Sequence, residues 1–458
     1  MRHALILLIT FAALGVCACA GFSHDGGFDA VADSARLHLA LNPTWPRTPE
    51  EQAKVDTQVA SLLRHPLSAT DAVQVALLNN RMLQADFEEL GISEADLVQA
   101  GRLPNPRFDL RHASSGGQYD IEETLSFNVL ALLTMPYARN IEKRRFAQTQ
   151  NAVVLRIAQL AQDTREAFYR AVAARESRDY QLKVRAAAET GATLARRMVA
   201  AGNWNKLDEA RERNFYADAI QGLTQAQLAE QSARERLLVL LGVADEKPGG
   251  AEMQLADSLP ELPGSAEQLP DVEQALLQNR LDLQLMRAQL DELRQRLNLT
   301  RGTRFVNVLD LGATRVRQGG RDSPFERGYA LTVEVPIFDS GAARLKKSEA
   351  TYAQAVDRFA QAAIEARSQI RLAYAGYRAA YELALQQRDE VLPLRKAVTQ
   401  ENLLRYNASQ ISIFELLSDA REQAAGIDGC IQRLRDFWIA KSRLDGALLG
   451  NSALEQLF

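Results

Sequence analysis

The sequence predicts a mainly α-helical protein with a small β part. It is built as a duplication in which each half runs helix, β-hairpin, long helical hairpin. Three observations predict this. The chain echoes itself in order: Ala76-Leu77-Leu78-Asn79-Asn80-Arg81 returns as Ala275-Leu276-Leu277-Gln278-Asn279-Arg280, Leu83-Gln84 as Leu283-Gln284, and Leu240-Leu241-Gly242 as Leu448-Leu449-Gly450. The spacing of roughly 200 residues is far beyond the 20–50 of solenoid repeats and suits a duplicated half-domain. Each half also carries two short alternating stretches around a turn. A long, alanine-rich and nearly proline-free stretch comes after each pair.

The chain opens with a short basic stretch, Met1-Arg2-His3. The next stretch, Ala4 to Val16, is an apolar run too short to span a bilayer as a helix. Residues 1–18 read as a secretory signal peptide. Val16-Cys17-Ala18-Cys19 resembles a lipobox, which would make Cys19 the first mature residue and a lipid carrier. Ala18-Cys19-Ala20 also suits ordinary signal peptidase. Residues 19–66 read as a linker with a short helix near Pro49 to Arg64.

Ser68-Ala69-Thr70-Asp71 offers an N-cap for a helix from about Asp71 to Ala100. Gly101 and Pro104-Asn105-Pro106 end it. Phe108, Leu110 and His112 then alternate with Arg107, Asp109 and Arg111. Beyond the turn Ser114-Ser115-Gly116-Gly117, Leu125, Phe127 and Val129 alternate with Thr124, Ser126 and Asn128. The second half repeats this pattern. Phe305, Asn307, Leu309 and Leu311 form one side, and after a turn at about Gln318 to Pro324 come Tyr329, Leu331, Val333 and Val335. Period-two alternation about Gly-rich turns predicts β-hairpins. Four strands make too small a sheet to stand alone. Hairpins from several copies could close a barrel and remove every edge. Leu125, Phe127, Val129, Tyr329, Leu331, Val333 and Val335 would then face lipid, and Thr124, Ser126, Asn128, Thr332 and Glu334 water.

The long stretches run from about Asn140 to Ala200 and from about Ala342 to Tyr406, the second kinked at Pro393. About 60 helical residues span roughly 90 Å. Val153, Ile157, Leu160, Thr164, Ala167, Ala171 and Ala174 recur at four-three spacing. So do Tyr352, Val356, Phe359, Ala363, Ala366, Ile370, Ala373 and Tyr377. Such stripes predict supercoiling, and their small residues predict a wall of closely approaching helices. The helices turn back near Ala201-Gly202-Asn203-Trp204-Asn205 and near Asn407-Ala408-Ser409-Gln410-Ile411-Ser412. Gly202 suits a helix end, and Asn205 and Ser412 suit helix starts. Residues 451–458 form a tail.

Composition excludes several classes. The formal net charge is -4 with acidic and basic residues interspersed, which gives no basic block for nucleic acid. The five histidines end at His112, and none sits with cysteine or carboxylate at metal-ligand spacing. Nucleophile elbow, phosphate loop and dinucleotide fingerprint are absent, so no enzyme and no cofactor are expected. Cys430 reads as a small packing residue.

The two halves resemble the TolC-like outer membrane efflux protein family. The resemblance rests on the Ala76–Arg81 motif, Ala100-Gly101-Arg102-Leu103-Pro104-Asn105-Pro106, Val335-Pro336-Ile337-Phe338-Asp339-Ser340-Gly341 and the closing Leu448-Leu449-Gly450. It covers about Leu67 to Gly450, as repeats at 67–250 and 265–450. The Ala-Gly-x-x-Pro-Asn-Pro segment is similar to the heavy-metal branch. The resemblance implies a homotrimer whose subunits share a 12-stranded barrel in outer membrane lipid, above a helical tunnel across the periplasm. It implies docking of a periplasmic adaptor, tied to an inner membrane pump, at the turns Gly202, Asn203, Trp204, Asn205, Ser409, Gln410 and Ile411. Asp208, Glu209, Glu415 and Asp419 lie just past the turns and are candidates for a periplasmic gate. The family usually has glycine where this chain has Ser409, and Pro136 lacks the Ile-Phe that succeeds Pro336. The expected function is passive export of small molecules or metal ions. The alternatives are a periplasmic coiled-coil lipoprotein that tethers envelope layers, and a protein-secretion channel.

Overall fold

The computed structural model describes residues 21–116, 118–243, 253–268, 280–319 and 323–450. The signal segment, Cys19, the tail 451–458 and the echoed residues 275–279 lie outside the described residues. In chain order the elements are α1 Phe28–Leu39, α2 Pro49–Leu63, α3 Ala69–Asn79, α4 Arg81–Ala100, β1 Arg107–Ser115 and β2 Gln118–Asn128. Then come α5 Val129–Ala200, α6 Lys206–Leu241, α7 Leu281–Thr303, β3 Leu309–Gly319 and β4 Glu326–Val333. The last are α8 Ala342–Gln386, a π-helical turn Gln387–Val391, α9 Leu392–Asn407 and α10 Ile413–Leu449.

The chain divides into two compact units, each drawing segments from both halves of the sequence. One holds residues up to Val31, Phe87–Val153 and Leu283–Ala363, including the whole sheet. The other holds Ala32–Asp86, Val154–Asp282 and the chain from Ile364, including both helical turns.

The four strands form one antiparallel sheet in the order β1-β2-β3-β4. The two hairpins of the two halves therefore join directly through β2 and β3, from Tyr119 opposite Gly319 to Asn128 opposite Asp310. Among the described residues no strand pairs with the outer edge of β1 or of β4.

Several boundaries differ from the sequence reading. The expected helix 71–100 is two helices broken at Asn80, whose backbone is extended (ψ 117°). Its side chain caps the second helix by accepting the Leu83 N–H at 3.0 Å. Helix α1 lies in the stretch read as linker. Asp25 starts it by accepting the Asp29 N–H. Val129 is the first residue of α5 rather than the end of a strand, because the Asn128 side chain accepts the Ala131 N–H at 2.6 Å. Pro136 consequently lies inside α5, in its third turn. Ser114 and Ser115 extend β1. Phe305 and Asn307 precede β3, and Val335 lies past β4. At Pro393 the helix does not simply kink. The missing N–H there is accompanied by a five-residue π turn immediately upstream.

The first heptad stripe is buried at Val153, Ile157, Thr164, Ala167 and Ala171. The second is buried at Ala366, Ile370 and Tyr377, whereas Val356 is exposed. In the second unit α2, α3, α5 and α6 share a core of Val59, Leu63, Val75, Leu78, Phe168, Val172, Leu237 and Leu241. A second cluster joins Tyr377, Tyr381 and Leu444 around Phe437, with ring centroids 5.7 and 5.8 Å apart for the two tyrosines.

The echoed motifs meet each other inside each half. In the first half, Asn79 Nδ2 donates to the Leu241 and Gly242 carbonyls at 3.1 and 2.7 Å, and Asn80 Nδ2 to that of Leu240 at 2.8 Å. These bonds satisfy the orphan carbonyls at the end of α6. A Cβ on Gly242, which has a left-handed φ of 66°, would collide with the Asn79 carbonyl. In the second half the fully buried Arg280 donates to the Ala447 carbonyl at the end of α10, and Gly450 packs against Asp282. The repeated sequence thus marks where each returning helix ends on the start of its own half.

Candidate functional site: a two-faced sheet and two helical turns

Strand alternation and register divide the sheet into two unlike faces. One face carries Phe108, Leu125, Phe127, Leu311, Ala313, Tyr329, Leu331 and Val333 in adjoining rows. Leu125, Phe127, Tyr329, Leu331 and Val333, all singled out from sequence, lie on this face and are exposed, Tyr329 to 84%. Val129 and Val335 fall outside the strands. Val335 is exposed, as are Ile337 and Phe338 after it, so apolar exposure continues past the sheet.

The other face is polar. It presents Arg107, Asp109, Arg111, Asp120, Glu122, Thr124, Ser126, Asp310, Thr314, Thr332 and Glu326. Five carboxylates oppose two guanidiniums there. The Thr124 and Thr314 hydroxyls bond across β2 and β3 at 3.0 Å. Glu122 and Glu326 flank Val316 in one row.

In the second unit the two helical turns have one design. At the first, the Asn203 N–H donates to the Met198 carbonyl at 2.9 Å and the Gly202 N–H to that of Val199 at 3.0 Å. At the second, Gln410 donates to Arg405 at 2.8 Å and Ser409 to Tyr406 at 2.9 Å. This nested pair of bonds is a Schellman ending, which requires a left-handed residue. Gly202 supplies it with φ 75°, and Ser409 with φ 59°. The serine therefore keeps the glycine geometry. Three residues on, Asn205 and Ser412 cap the returning helices by accepting the N–H groups of Asp208 and Glu415. Trp204 and Ile411 occupy matching places and are half-buried, while Gly202, Asn203, Asn205, Ser409 and Gln410 are exposed.

The four acids past the turns have local partners in part. Asp208 accepts Asn205 Nδ2 at 2.8 Å and pairs with Arg211, and Glu415 accepts the Ser412 N–H at 3.0 Å. Asp419 Oδ2 is buried with no hydrogen-bond partner. Among the described residues no group of three or more His, Cys, Asp or Glu stands ready to hold a metal ion. No described helix is long and apolar enough to cross a membrane.

Sequence reasoning missed the side of the sheet just beyond the apolar rows. There Arg315 meets Glu123 at 2.7 Å and lies opposite Arg327. The alternation Arg315, Val316, Arg317 was the available signal.

Comparison with known proteins agrees with this architecture. Residues 272–418 match the outer membrane efflux protein family model. The cobalt-zinc-cadmium resistance protein CzcC of Cupriavidus metallidurans is 27% identical over 287 residues, which are 60% of this chain and 64% of that protein. The chain thus aligns with a little under two thirds of that relative's length. Among solved structures, CusC superposes with a TM-score of 0.68 at 17% identity, covering 85% of this chain and 93% of CusC. The CmeC outer membrane channel of Campylobacter jejuni gives 0.65 at 14% identity, covering 94% and 93%. At those identities the likeness shows the fold. Residues 272–418 thus resemble the outer membrane efflux protein family, and the chain shares the fold of CusC and of the CmeC outer membrane channel.

Proposed function

We propose that this chain is the outer membrane channel of a tripartite efflux pump. The observation that carries the reading is the four-stranded sheet with an exposed apolar face, a polar face and two open edges. Alone it is too small and unpaired at β1 and β4. Three copies joined edge to edge make a closed barrel of twelve strands, with the apolar face toward lipid and the polar face toward water. Leu125, Phe127, Tyr329, Leu331 and Val333 then contact acyl chains. Val129 and Val335 continue the apolar band beyond the strands. The two halves, 67–250 and 265–450, supply one hairpin and one long helical turn each. The helices build a periplasmic tunnel, and a lipid on Cys19 adds a membrane anchor.

The two turns are the docking points for a periplasmic adaptor tied to an inner membrane pump. Half-buried Trp204 and Ile411 are the anchors, ringed by the exposed polar turn residues. Asp208, Glu209, Glu415 and Asp419 stand beside them at the tunnel mouth. Helix capping already engages Asp208 and Glu415, so Glu209 and Asp419 are the better gate residues.

The cargo is a divalent metal cation, the substrate class of CzcC, which its name ties to cobalt, zinc and cadmium. Five carboxylates against two guanidiniums per subunit on the polar face favour cations in the lumen.

The test is conductance of the purified protein in planar bilayers. Discrete, cation-selective steps are expected. Asp109→Asn with Glu122→Gln and Glu326→Gln should lower the cation preference while leaving the steps. Steps that prefer anions in the wild type would overturn the cargo. Silence from the wild type and from variants charge-reversed at Glu209 and Asp419 would overturn the channel.

A further inference from the structure

On the apolar face of the sheet, charge appears abruptly. The row Phe108, Leu125, Ala313, Tyr329 carries none. The next row toward the hairpin turns is Leu110, Glu123, Arg315, Arg327, and the one after it is His112, Ile121, Arg317. Two residues of strand separate neighbouring rows, or about 7 Å. Three guanidiniums and one carboxylate therefore crowd two rows at one edge of the apolar surface.

The pairing of two of them is unfavourable. Arg315 and Arg327 are direct cross-strand partners, and like charges placed so are destabilising. Glu123 pairs with Arg315, through contacts of 2.7 and 3.0 Å. The centroid of the Phe325 ring lies 4.7 Å from the Arg315 guanidinium and 4.8 Å from that of Arg317, which sets both against one aromatic ring. Arg327 is exposed. Close by, His112 and Tyr119 stack at 6.0 Å. The polar face offers no match, since Arg107 and Arg111 there stand among five carboxylates.

We propose that Arg315, Arg317 and Arg327 form a clamp for a phosphate-bearing headgroup of an outer-leaflet membrane lipid. This rests on the channel reading, which puts the apolar rows against acyl chains and the hairpin turns outside. The clamp then lies at headgroup depth, where a dianionic phosphate relieves the Arg315–Arg327 repulsion and accepts forked hydrogen bonds. Aromatic neighbours at that depth match the girdle of membrane barrels.

The test uses the purified full-length assembly in detergent with lipid A carrying two phosphates, against dephosphorylated lipid A, and tracks bound lipid by native mass spectrometry. The wild type should retain the phosphorylated form. R315Q/R317Q/R327Q should bind it at least about tenfold more weakly, the scale of one lost charge-assisted bond. R107Q/R111Q should bind like the wild type. E123Q frees Arg315 and should bind severalfold more tightly. Equal retention by the triple variant, or equal loss in R107Q/R111Q, overturns the clamp. Should the triple variant fail to assemble, E123Q decides: binding no tighter than wild type overturns it. Planar-bilayer steps from the same preparations report on the channel separately. Lost lipid with intact steps supports the clamp. Absent steps in every preparation, with lipid binding unchanged by any variant, remove both readings.

Discussion

Arg280 grips Asp282 with two arms of its guanidinium, at 3.0 Å from Nε and 2.7 Å from Nη2, in a site closed to solvent. Its other donors go to the Ala366 and Ala447 carbonyls and to Gln369 Oε1. All five N–H groups of the side chain are used, which offsets the cost of burying the charge. Arg280→Met would leave the buried Asp282 without this guanidinium and remove the side-chain donor from the Ala447 carbonyl at the end of α10. A loss of about 3–5 kcal/mol is expected, read as a lower midpoint in denaturant by circular dichroism. Adding Asp282→Leu should recover part of it. A double variant no more stable than Arg280→Met would show that the cost lies in packing instead.

Ser409 holds a left-handed backbone that its matching residue, Gly202, adopts without a steric penalty. Ser409→Gly should stabilise the turn by up to about 1 kcal/mol, and Gly202→Ala should cost about as much. Thermal melts of the two variants should move in opposite directions.

Thr164 is completely buried in the first heptad stripe, and its hydroxyl has no hydrogen-bond partner. Valine has the same shape without the hydroxyl. Thr164→Val should therefore raise stability by about 1–3 kcal/mol, the penalty of an unsatisfied buried polar group. A fall in melting temperature would mean that a neighbouring copy satisfies the hydroxyl in the assembly.

Asp163 is partly desolvated, and burial pushes its carboxyl up; the hydrogen bond from Gln159 opposes this, and the Glu166 charge adds to it. The folded state thus holds this proton more tightly than the unfolded chain. That contribution is fully present below about pH 4 and is lost as pH rises through the raised value. Asp163→Asn should melt higher than the wild type at neutral pH, with the gap closing toward pH 4. A gap independent of pH would contradict the assignment.

Much of the plan was legible in the chain. Ala76–Arg81 and Leu240–Gly242 announced themselves by repetition, and the structure gives the reason, since Asn79 and Asn80 tie off the end of α6. The alternation of Leu125, Phe127, Tyr329, Leu331 and Val333 placed them on one face. The hidden part depends on a single side chain choosing between roles. Asn80 and Asn128 look like ordinary polar positions in a pattern, yet each starts a helix by capping it. The Arg315–Arg327 pairing was out of reach for a different reason, because it needs the register of two strands and not the period of one.

The π turn before Pro393 resets the helix beyond it. A residue inserted into a helix rotates the residues downstream by about 100°, one residue's share of a 3.6-residue turn. Leu394, Val398 and Leu404 past the insertion are exposed, and α9 buries none of its side chains. The helix is re-indexed there like a gear slipped by one tooth. The approach to the second turn is thereby turned to a heading that the stripe of α8 does not set. The first half has no such turn in α5, so two arms inherited from one ancestral pattern arrive at their ends clocked differently.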